Sequence, residues 1–449
     1  MDTPHNTIYK TKQLFFLLFL VLLFIPFLQL LFHLVPERPL DGIDPAEALP
    51  VFSVQSWLNG DYQKDYDDCY EKKIGFHNSL VRLHNQINYS VFNTSDAGDV
   101  VVGKNNYIFL KPYVYAYTGA DFLGSEYIDI QSQKIKVIQD ELKKRNIDFF
   151  IAFAPGKGSF YSEYIPDDYK KNMCPDSTNY VCYKKKFADY NVNLLDLRSI
   201  FLYKKKSEKY SLYMTTGVHW TQYGSYLAGT EMVKYIERLR KIKLPEIKLQ
   251  SIQTLSFSGK EGTDYDAAAL MNIFATVPHA DVVLPELVFK TDPRTVRPYF
   301  LCISDSYFHG IIHSHIPENV FTDYHEWHYY DRVFPESFLK EKTVDKKRLK
   351  EEIEKQNIVC LLVTDATLPA FPFGFVDDVY EIYAQKDTAY YQLKKIEFKQ
   401  FIAGVYESIN KNKTWKDQLI KTAKERKISE AQEFFENAYW LYNQKYSNK

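Results

Sequence analysis

The sequence predicts an α/β fold: a mostly parallel sheet with helices on both faces, preceded by one N-terminal transmembrane helix. Short apolar runs alternate along the chain with segments of helical periodicity, and an uncharged segment of spanning length lies near the N-terminus. Strands that crossover helices bury on both faces are continuously apolar, which is typical of parallel sheets. With 449 residues, 45% of them hydrophobic, the chain can bury at least one large core.

The predicted elements follow one another as such a sheet requires. A helix over 61–92 precedes a hairpin of strands 100–102 and 107–110, and a helix over 129–145 leads into a strand over 147–153. Further predicted elements are a strand over 192–197, a helix over 223–240, and strands over 299–303 and 358–363. Because functional residues gather at the carboxyl ends of parallel strands, the residues after these strands are the first to consider.

The N-terminal segment predicts a membrane anchor. Residues 14–32 carry no charge, and about 20 apolar residues cross the hydrocarbon core of a bilayer. A cleaved signal peptide is the alternative, but its apolar part is shorter and ends in small residues, a pattern missing here. Lys10 and Lys12 precede the segment, so the N-terminus is expected in the cytoplasm. We expect a single-pass protein of the inner (plasma) membrane with its domain on the periplasmic or extracellular side.

Composition limits the partners and the domain organisation. The 56 basic and 57 acidic residues give a net charge of −1, which does not favour nucleic acid as a partner. No cofactor motif or metal-like Cys/His spacing is present, so neither a cofactor nor a metal is predicted. The predicted domains are a cytoplasmic tip and anchor (1–36), a linker (37–60), an α/β domain (61–410) and a C-terminal helical extension (411–449).

Two short polar turns carry the chemistry. Ser306 follows the predicted strand that ends at Ile303 and precedes a predicted helix, where backbone N–H groups can face a developing oxyanion. His219, in the sequence Thr215-Thr216-Gly217-Val218-His219-Trp220, also precedes a helix and is suited to act as a general base towards a serine. Taken singly, a turn-forming serine and a packed surface histidine are the favoured explanations of the two residues.

Together and in this order, the two turns resemble a known family. His219-Trp220-Thr221-Gln222-Tyr223-Gly224 and Ser304-Asp305-Ser306-Tyr307-Phe308 are similar to the His-Trp motif and the serine turn of the alginate O-acetyltransferases, the AlgX/AlgJ family with its SGNH-hydrolase-like domain. Ser304 stands where that family has a glycine. Residues 74–80, 101–109 and 154–166 also resemble the family, with His77 where it often has arginine. The resemblance spans roughly residues 60–390 and implies an SGNH-hydrolase-like acyltransferase domain over 61–410.

One departure from the family concerns the acid of the catalytic triad. That acid should lie two residues before His219, at the position of Gly217. An acid from another segment, a Ser–His dyad or lost catalysis would each explain the glycine. Asp264 and Asp266 are candidates, although Asp266 also fits a helix N-cap. The further supporting candidates are Asp305, Tyr307 and Lys157; a solvated loop is the favoured explanation of Lys157, and an anionic substrate contact is the alternative.

The resemblance implies a membrane-anchored O-acetyltransferase that acylates hydroxyls of a cell-surface or exported polysaccharide. Ser306 would form the acyl-enzyme with His219 as base, and a multi-spanning acyltransferase partner would supply the acyl group. A carbohydrate acetyl esterase using the same two residues is the first alternative. A glycan-binding domain without catalysis is the second, because Gly217 leaves the triad incomplete.

Overall fold

The computed structural model describes residues 4–43, 49–256 and 263–446, which form two compact units. The first unit comprises Met1–Lys111, Met214–Val218 and Phe257–Ala280, and the second comprises Pro112–Tyr213, His219–Ser256 and Asp281–Lys449. Each unit is described by itself. The domain boundaries predicted from the sequence stay predictions.

The described elements, in chain order, are ten strands and nineteen α-helices. The strands are β1 Val100–Val102, β2 Ile108–Leu110, β3 Asp148–Ala154, β4 Leu194–Asp196, β5 Glu246–Leu255, β6 Val282–Lys290, β7 Tyr299–Ser304, β8 Asp323–His328, β9 Arg332–Phe334 and β10 Ile358–Thr364. The helices are α1 Pro4–Phe32, α2 Val54–Asn59, α3 Asp61–Lys73, α4 His77–Ile87, α5 Lys111–Thr118, α6 Ser125–Lys144, α7 Lys157–Phe160, α8 Asp167–Lys170, α9 Asn179–Asp189, α10 Leu197–Lys204, α11 Gln222–Arg240, α12 Asp266–Ala269, α13 Tyr307–His313, α14 Ile316–Val320, α15 Leu349–Glu354, α16 Phe375–Tyr383, α17 Thr388–Lys411, α18 Lys413–Arg426 and α19 Glu430–Tyr446.

The first unit contains the apolar N-terminal helix α1 and the predicted hairpin. The stretch Thr11–Phe32 of α1 is, by length and composition, long and apolar enough to cross a membrane. Strands β1 and β2 pair in antiparallel register, as predicted. The single helix predicted over 61–92 is instead α3 and α4, because Phe76 adopts a left-handed conformation (φ 63°) that interrupts the helical path.

The second unit is built on a six-stranded sheet of order β4-β3-β10-β7-β8-β9. All neighbours are parallel except β8 and β9, which confirms the mostly parallel sheet. Alternate residues of the central strands face opposite sides. Phe149, Ile151 and Phe153 of β3 belong to the core formed with α6, α9 and α16. On the other side, Phe150 contacts Tyr235 of α11 and the sheet covers α13, so helices lie on both faces.

The sequence missed four strands of this unit. Strand β8, with the sequence Asp323-Tyr324-His325-Glu326-Trp327-His328, contains too many polar residues to look buried, yet Glu326 is fully buried. Strands β5 and β6 form a long antiparallel hairpin whose side chains are largely accessible, so they carry no continuous apolar run. Strand β9 has three residues and lies at the sheet edge.

Candidate active site

The turn that carries Ser306 is fixed by the buried carboxylate of Asp305. One oxygen of Asp305 accepts hydrogen bonds from the Thr364 N–H (2.7 Å), the Thr364 hydroxyl (2.9 Å) and the Thr367 hydroxyl (2.6 Å). The other accepts the N–H of Tyr307 at 3.1 Å. These bonds tie the end of β7 to the end of the neighbouring strand β10. Asp305 thus holds the turn, while Ser306, half-buried, remains accessible at its tip.

His219 meets Ser306 at this tip. The Nε2 atom of His219 lies 2.7 Å from the Oγ atom of Ser306, and both side chains are half-buried. Direct proton transfer between a hydroxyl and a base needs about 2.6–3.2 Å between the heavy atoms. The two residues singled out by the sequence are therefore brought together, 87 positions apart in the chain, at a distance that permits proton transfer.

The residues after His219 anchor its position. Trp220 is buried and packs against Tyr307 with ring centroids 5.0 Å apart. The Thr221 hydroxyl accepts the N–H of Gly224 at 3.0 Å and so caps the N-terminus of α11. A Cβ on Gly224 would lie 2.8 Å from the carbonyl oxygen of Leu212, so the glycine of this motif allows the helix to approach the chain before it.

Helix α13, which begins directly after Ser306, approaches Trp220 closely through Gly310. A Cβ at this glycine would lie 2.7 Å from the indole nitrogen of Trp220. The buried ring of Tyr307, the first residue of α13, also faces His219, with ring centroids 5.0 Å apart. Burial raises the pKa of Tyr307, so its hydroxyl stays protonated at neutral pH. Tyr307 accordingly supports the imidazole by packing.

Tyr329, which sequence reasoning missed, contacts Ser306. Burial raises the pKa of Tyr329, while hydrogen bonds to the side chain and backbone of Ser306 act in the opposite direction. Tyr329 directly follows β8, and its N–H donates to the Ser304 carbonyl at 2.7 Å. The rule that singled out Ser306 would have found Tyr329 had β8 been recognised as a strand.

A second polar cluster lies at the end of β10 around Asp365. The carboxylate of Asp365 is buried, accepts a hydrogen bond from the Ser159 hydroxyl and lies 3.7 Å from an Arg198 nitrogen. Burial raises the pKa of Asp365, and Arg198 opposes that shift. A Cβ on Gly156 would overlap Asp365, which explains the glycine. Lys157 is fully buried, so the expectation of a solvated loop is wrong: α7 is packed into the unit.

Gly217 and Asp266 lie in the first unit, where the chain around Gly217 is tightly enclosed. A Cβ at Gly217 would lie 2.4 Å from the carbonyl oxygen of Thr263, so backbone fills the space of a side chain there. Asp264 contributes its own carbonyl, which accepts the Thr216 hydroxyl at 2.6 Å. The carboxylate of Asp266 accepts the N–H of Val218 at 2.8 Å. Asp266 is the first residue of α12 and follows its cap position, Tyr265.

One group of side chains in the described ranges has metal-ligand character: His309, Glu326 and His328. These residues lie on α13 and β8, and no Cys/His spacing in the sequence predicts them. No described cluster around His219 and Ser306 has such a donor set, and the pair holds its own hydrogen bond directly. The chemistry that this arrangement supports is nucleophilic attack by a serine with an imidazole base.

Comparisons with known proteins agree with the resemblance noted from the sequence. Residues 100–296 match the family described as SGNH hydrolase-like domain, acetyltransferase AlgX. His219 lies inside this match and Ser306 lies beyond its end. A search of curated proteins gave no match.

Among solved structures, the chain is similar to three bacterial proteins at low identity. They are the O-acetyltransferase domain of Pseudomonas putida AlgJ (15% identity, 63% of this chain and 99% of that one, TM-score 0.39), Pseudomonas aeruginosa AlgX (14%, 62% and 67%, 0.41) and Bacillus cereus PatB1 (13%, 60% and 96%, 0.38).

Proposed function

We propose that the chain is a membrane-anchored O-acetyltransferase that transfers acetyl groups to hydroxyls of a cell-surface or exported polysaccharide, since residues 100–296 match the SGNH hydrolase-like domain of the acetyltransferase AlgX family. The observation that carries the proposal is the 2.7 Å contact between His219 Nε2 and Ser306 Oγ at the carboxyl edge of a parallel sheet. The family supplies the acetyl-transfer class, and the pair supplies a nucleophile with a base in reach.

The proposed reaction has two halves that use the same pair. In the first, Ser306 Oγ attacks the donor's acetyl carbonyl and His219 Nε2 takes the hydroxyl proton. The tetrahedral intermediate collapses, the bond to the donor breaks, and His219 returns the proton to the leaving group. In the second, a sugar hydroxyl loses its proton to His219 and attacks the acetyl-serine. Collapse releases the O-acetyl sugar, and the proton returns to Ser306.

The proposed substitute for the acid at Gly217 is Asp266, acting through the backbone. Asp266 holds the N–H of Val218, the residue directly before His219 in the chain. Loss of the carboxylate would free this segment and lower turnover by misplacing the imidazole. Asp266→Ala should therefore lower kcat more than it raises KM. An unchanged kcat would assign Asp266 to the stability of α12 alone.

A single assay separates the transferase from its alternatives. The full chain in detergent is incubated with a chromogenic acetyl ester, with and without an acetyl-free oligosaccharide, and sugar and acetate are analysed by mass spectrometry. Acetylated sugar supports the transferase, whereas free acetate alone at the same rate in both reactions shows an esterase. No release from the ester contradicts both enzymatic functions. Ser314→Ala, a serine at the other end of α13, is the matched control for Ser306→Ala.

The anchor and the acyl donor are parts of the same proposal. The 22 residues Thr11–Phe32 span about 33 Å at 1.5 Å per residue, enough for one crossing. One helix cannot carry an acetyl donor through a bilayer, so a multi-spanning acyltransferase partner is proposed to supply it. Protease added outside intact inner-membrane preparations should digest the domain and leave a short N-terminal fragment. A soluble domain with a new N-terminus near residue 36 would show a cleaved signal peptide instead.

A further inference from the structure

A second constellation of chemistry-bearing side chains lies on the side of α13 that faces β8. His309 is the third residue of α13, and Glu326 and His328 alternate on β8 so that both point to one face of the sheet. One nitrogen from each imidazole and one carboxylate oxygen all lie within 4.8 Å of one another. The group involves neither His219 nor Ser306.

The carboxylate of Glu326 is fully buried between the two imidazoles. Its Oε1 atom lies 2.9 Å from Nδ1 of His328, and its Oε2 atom lies 3.0 Å from Nε2 of His309. Oε2 of Glu326 and Nε2 of His309 are buried and form an ion pair, but they lack the alignment of a hydrogen bond. A cation bound between the carboxylate and the two imidazoles would contact all three side chains at once.

The donor set and spacing match a transition-metal site. Two imidazole nitrogens and one carboxylate oxygen are the three protein ligands of one known type of zinc site, in which water takes the fourth position. With metal–ligand bonds of about 2.0–2.2 Å, tetrahedral ligand atoms lie about 3.3 Å apart. The 2.9 and 3.0 Å separations involve the two different oxygens of Glu326. One oxygen and one nitrogen from each imidazole lie within 4.8 Å of one another, so binding of an ion requires the three side chains to draw together.

The surroundings of the cluster also suit a bound ion. The Ser304 hydroxyl donates to Oε1 of Glu326 at 2.8 Å, an outer contact that orients the carboxylate. The rings of His309 and His328 stack with centroids 4.4 Å apart, and Phe334 packs against His309 at 4.7 Å. The His309 and His328 side chains are 25% and 18% exposed, which leaves a route for an ion from solvent.

We propose that His309, Glu326 and His328 bind one divalent transition-metal ion of the zinc class. The ion joins α13, which begins directly after Ser306, to β8. By joining the two elements, the ion fixes the helix whose first turn follows the proposed nucleophile, and its fourth position is left for water. Ser304, which replaces the glycine of the AlgX/AlgJ serine turn, supports the carboxylate ligand.

Zinc binding by the full chain tests the proposal without reference to acetyl transfer. The protein in detergent is stripped with a chelator and titrated with zinc chloride against a chromogenic zinc indicator. We expect one tightly bound equivalent and a higher unfolding temperature with zinc, since an ion that binds the folded state stabilises it. His309→Ala and His328→Ala should each lose this equivalent, and Ser304→Ala should weaken binding about 10–100-fold.

Two controls keep the test decisive. His315→Ala removes an exposed histidine that lies 2.7 Å from Glu318, a surface His–Glu pair, and should leave zinc binding unchanged. Glu326→Gln keeps the shape of the side chain, so a variant that remains folded and loses the equivalent supports the site even if a histidine variant fails to fold. No stoichiometric zinc in the parent chain, or equal binding by Glu326→Gln, would overturn the proposal. Failure of acetyl transfer would not affect it.

Discussion

Strands β7 and β10 are neighbours in the sheet and end at the same edge, yet their ends differ in character. Strand β7 leads to Ser306, half-buried and in contact with His219. Strand β10 leads to Asp365, buried and held by Ser159 and Arg198. Asp305 joins the two ends through Thr364 and Thr367. The comparison indicates that one end presents the proposed nucleophile while the other supplies a rigid support.

The largest expected effect concerns the end of β7, where Ser306 contacts His219. Ser306→Ala and His219→Ala should each lower turnover on the order of 10⁴-fold or more, because they remove the nucleophile or its base. The double variant should be scarcely worse than either single variant, since residues that act as a unit are not additive. Unfolding temperatures should match the parent chain. Losses that multiply in the double variant would show that the two residues do not share a proton.

A change at the end of β10 should lower the stability of the protein. Asp365→Ala leaves Arg198 and the Ser159 hydroxyl without their buried partner, and breaking a buried ion pair costs about 3 kcal/mol or more. Denaturant unfolding should show this loss, while turnover per folded molecule changes little. If Asp365→Ala keeps the parent stability and abolishes turnover, the end of β10 belongs to the reactive site and the contrast with β7 fails.

A smaller effect is expected from a substitution at Gly217, two residues before His219. Gly217→Asp restores the acid that the AlgX/AlgJ motif has, but its Cβ would overlap the Thr263 carbonyl oxygen. Crowding of this kind costs about 1–3 kcal/mol, so stability and turnover should both fall. Gly404→Ala is the matched control, because nothing lies within 4 Å of a Cβ there. A rise in turnover for Gly217→Asp would mean that the segment moves aside and the carboxylate takes the acid's role.

The smallest expected effect concerns pH and the acids near the β10 end. Burial, with a contribution from Asp365, raises the pKa of Asp121 to about 6. A raised acid pKa stabilises the fold below the unfolded value of about 4, and this contribution is lost as pH rises through 6. Asp121→Asn should therefore match the parent near pH 4 and exceed its stability by about 1 kcal/mol at pH 7–8, after allowance for solvent screening.

Unfolding curves of both chains at pH 4 and pH 8 check this difference. Asp168→Asn, at an exposed carboxylate, is the control and should show no comparable gain. Equal stability of Asp121→Asn and its parent at both pH values would mean that Asp121 is solvated well enough to ionise freely. Burial of the Asp121 carboxylate would then not lower the stability of the fold.

The sequence predicted those parts of the fold whose burial is continuous. The central residues of β3, β7 and β10 form apolar runs, and the turn after β7 followed from the carboxyl-end rule. Strand β8 was missed because its buried positions include Glu326, whose charge is compensated by His328 on the same strand and by His309 on α13. Lys157 was misassigned for the same reason: a lysine in a glycine-rich stretch suggests solvent unless tertiary packing is known.

The candidate site also combines features that follow from local sequence with features that depend on tertiary packing. His219 and Ser306 were found from local sequence, but their 2.7 Å contact depends on how α11 and α13 pack, which no local pattern encodes. Tyr329 and Asp365 follow strands as Ser306 does, yet neither lies in a motif. The space beside Gly217 is filled by backbone from 46 positions further along, which spacing alone does not indicate.

The residues of the segment His219-Trp220-Thr221-Gln222-Tyr223-Gly224 act together to position the imidazole of His219. Trp220 anchors the segment in the core, Thr221 starts the helix, and Gly224 admits the chain before it, while His219 alone faces Ser306. The placement of His219 against Ser306 is therefore set by packing, by the cap of α11 and by the close approach at Gly224, and it is kept although position 217 carries no side chain.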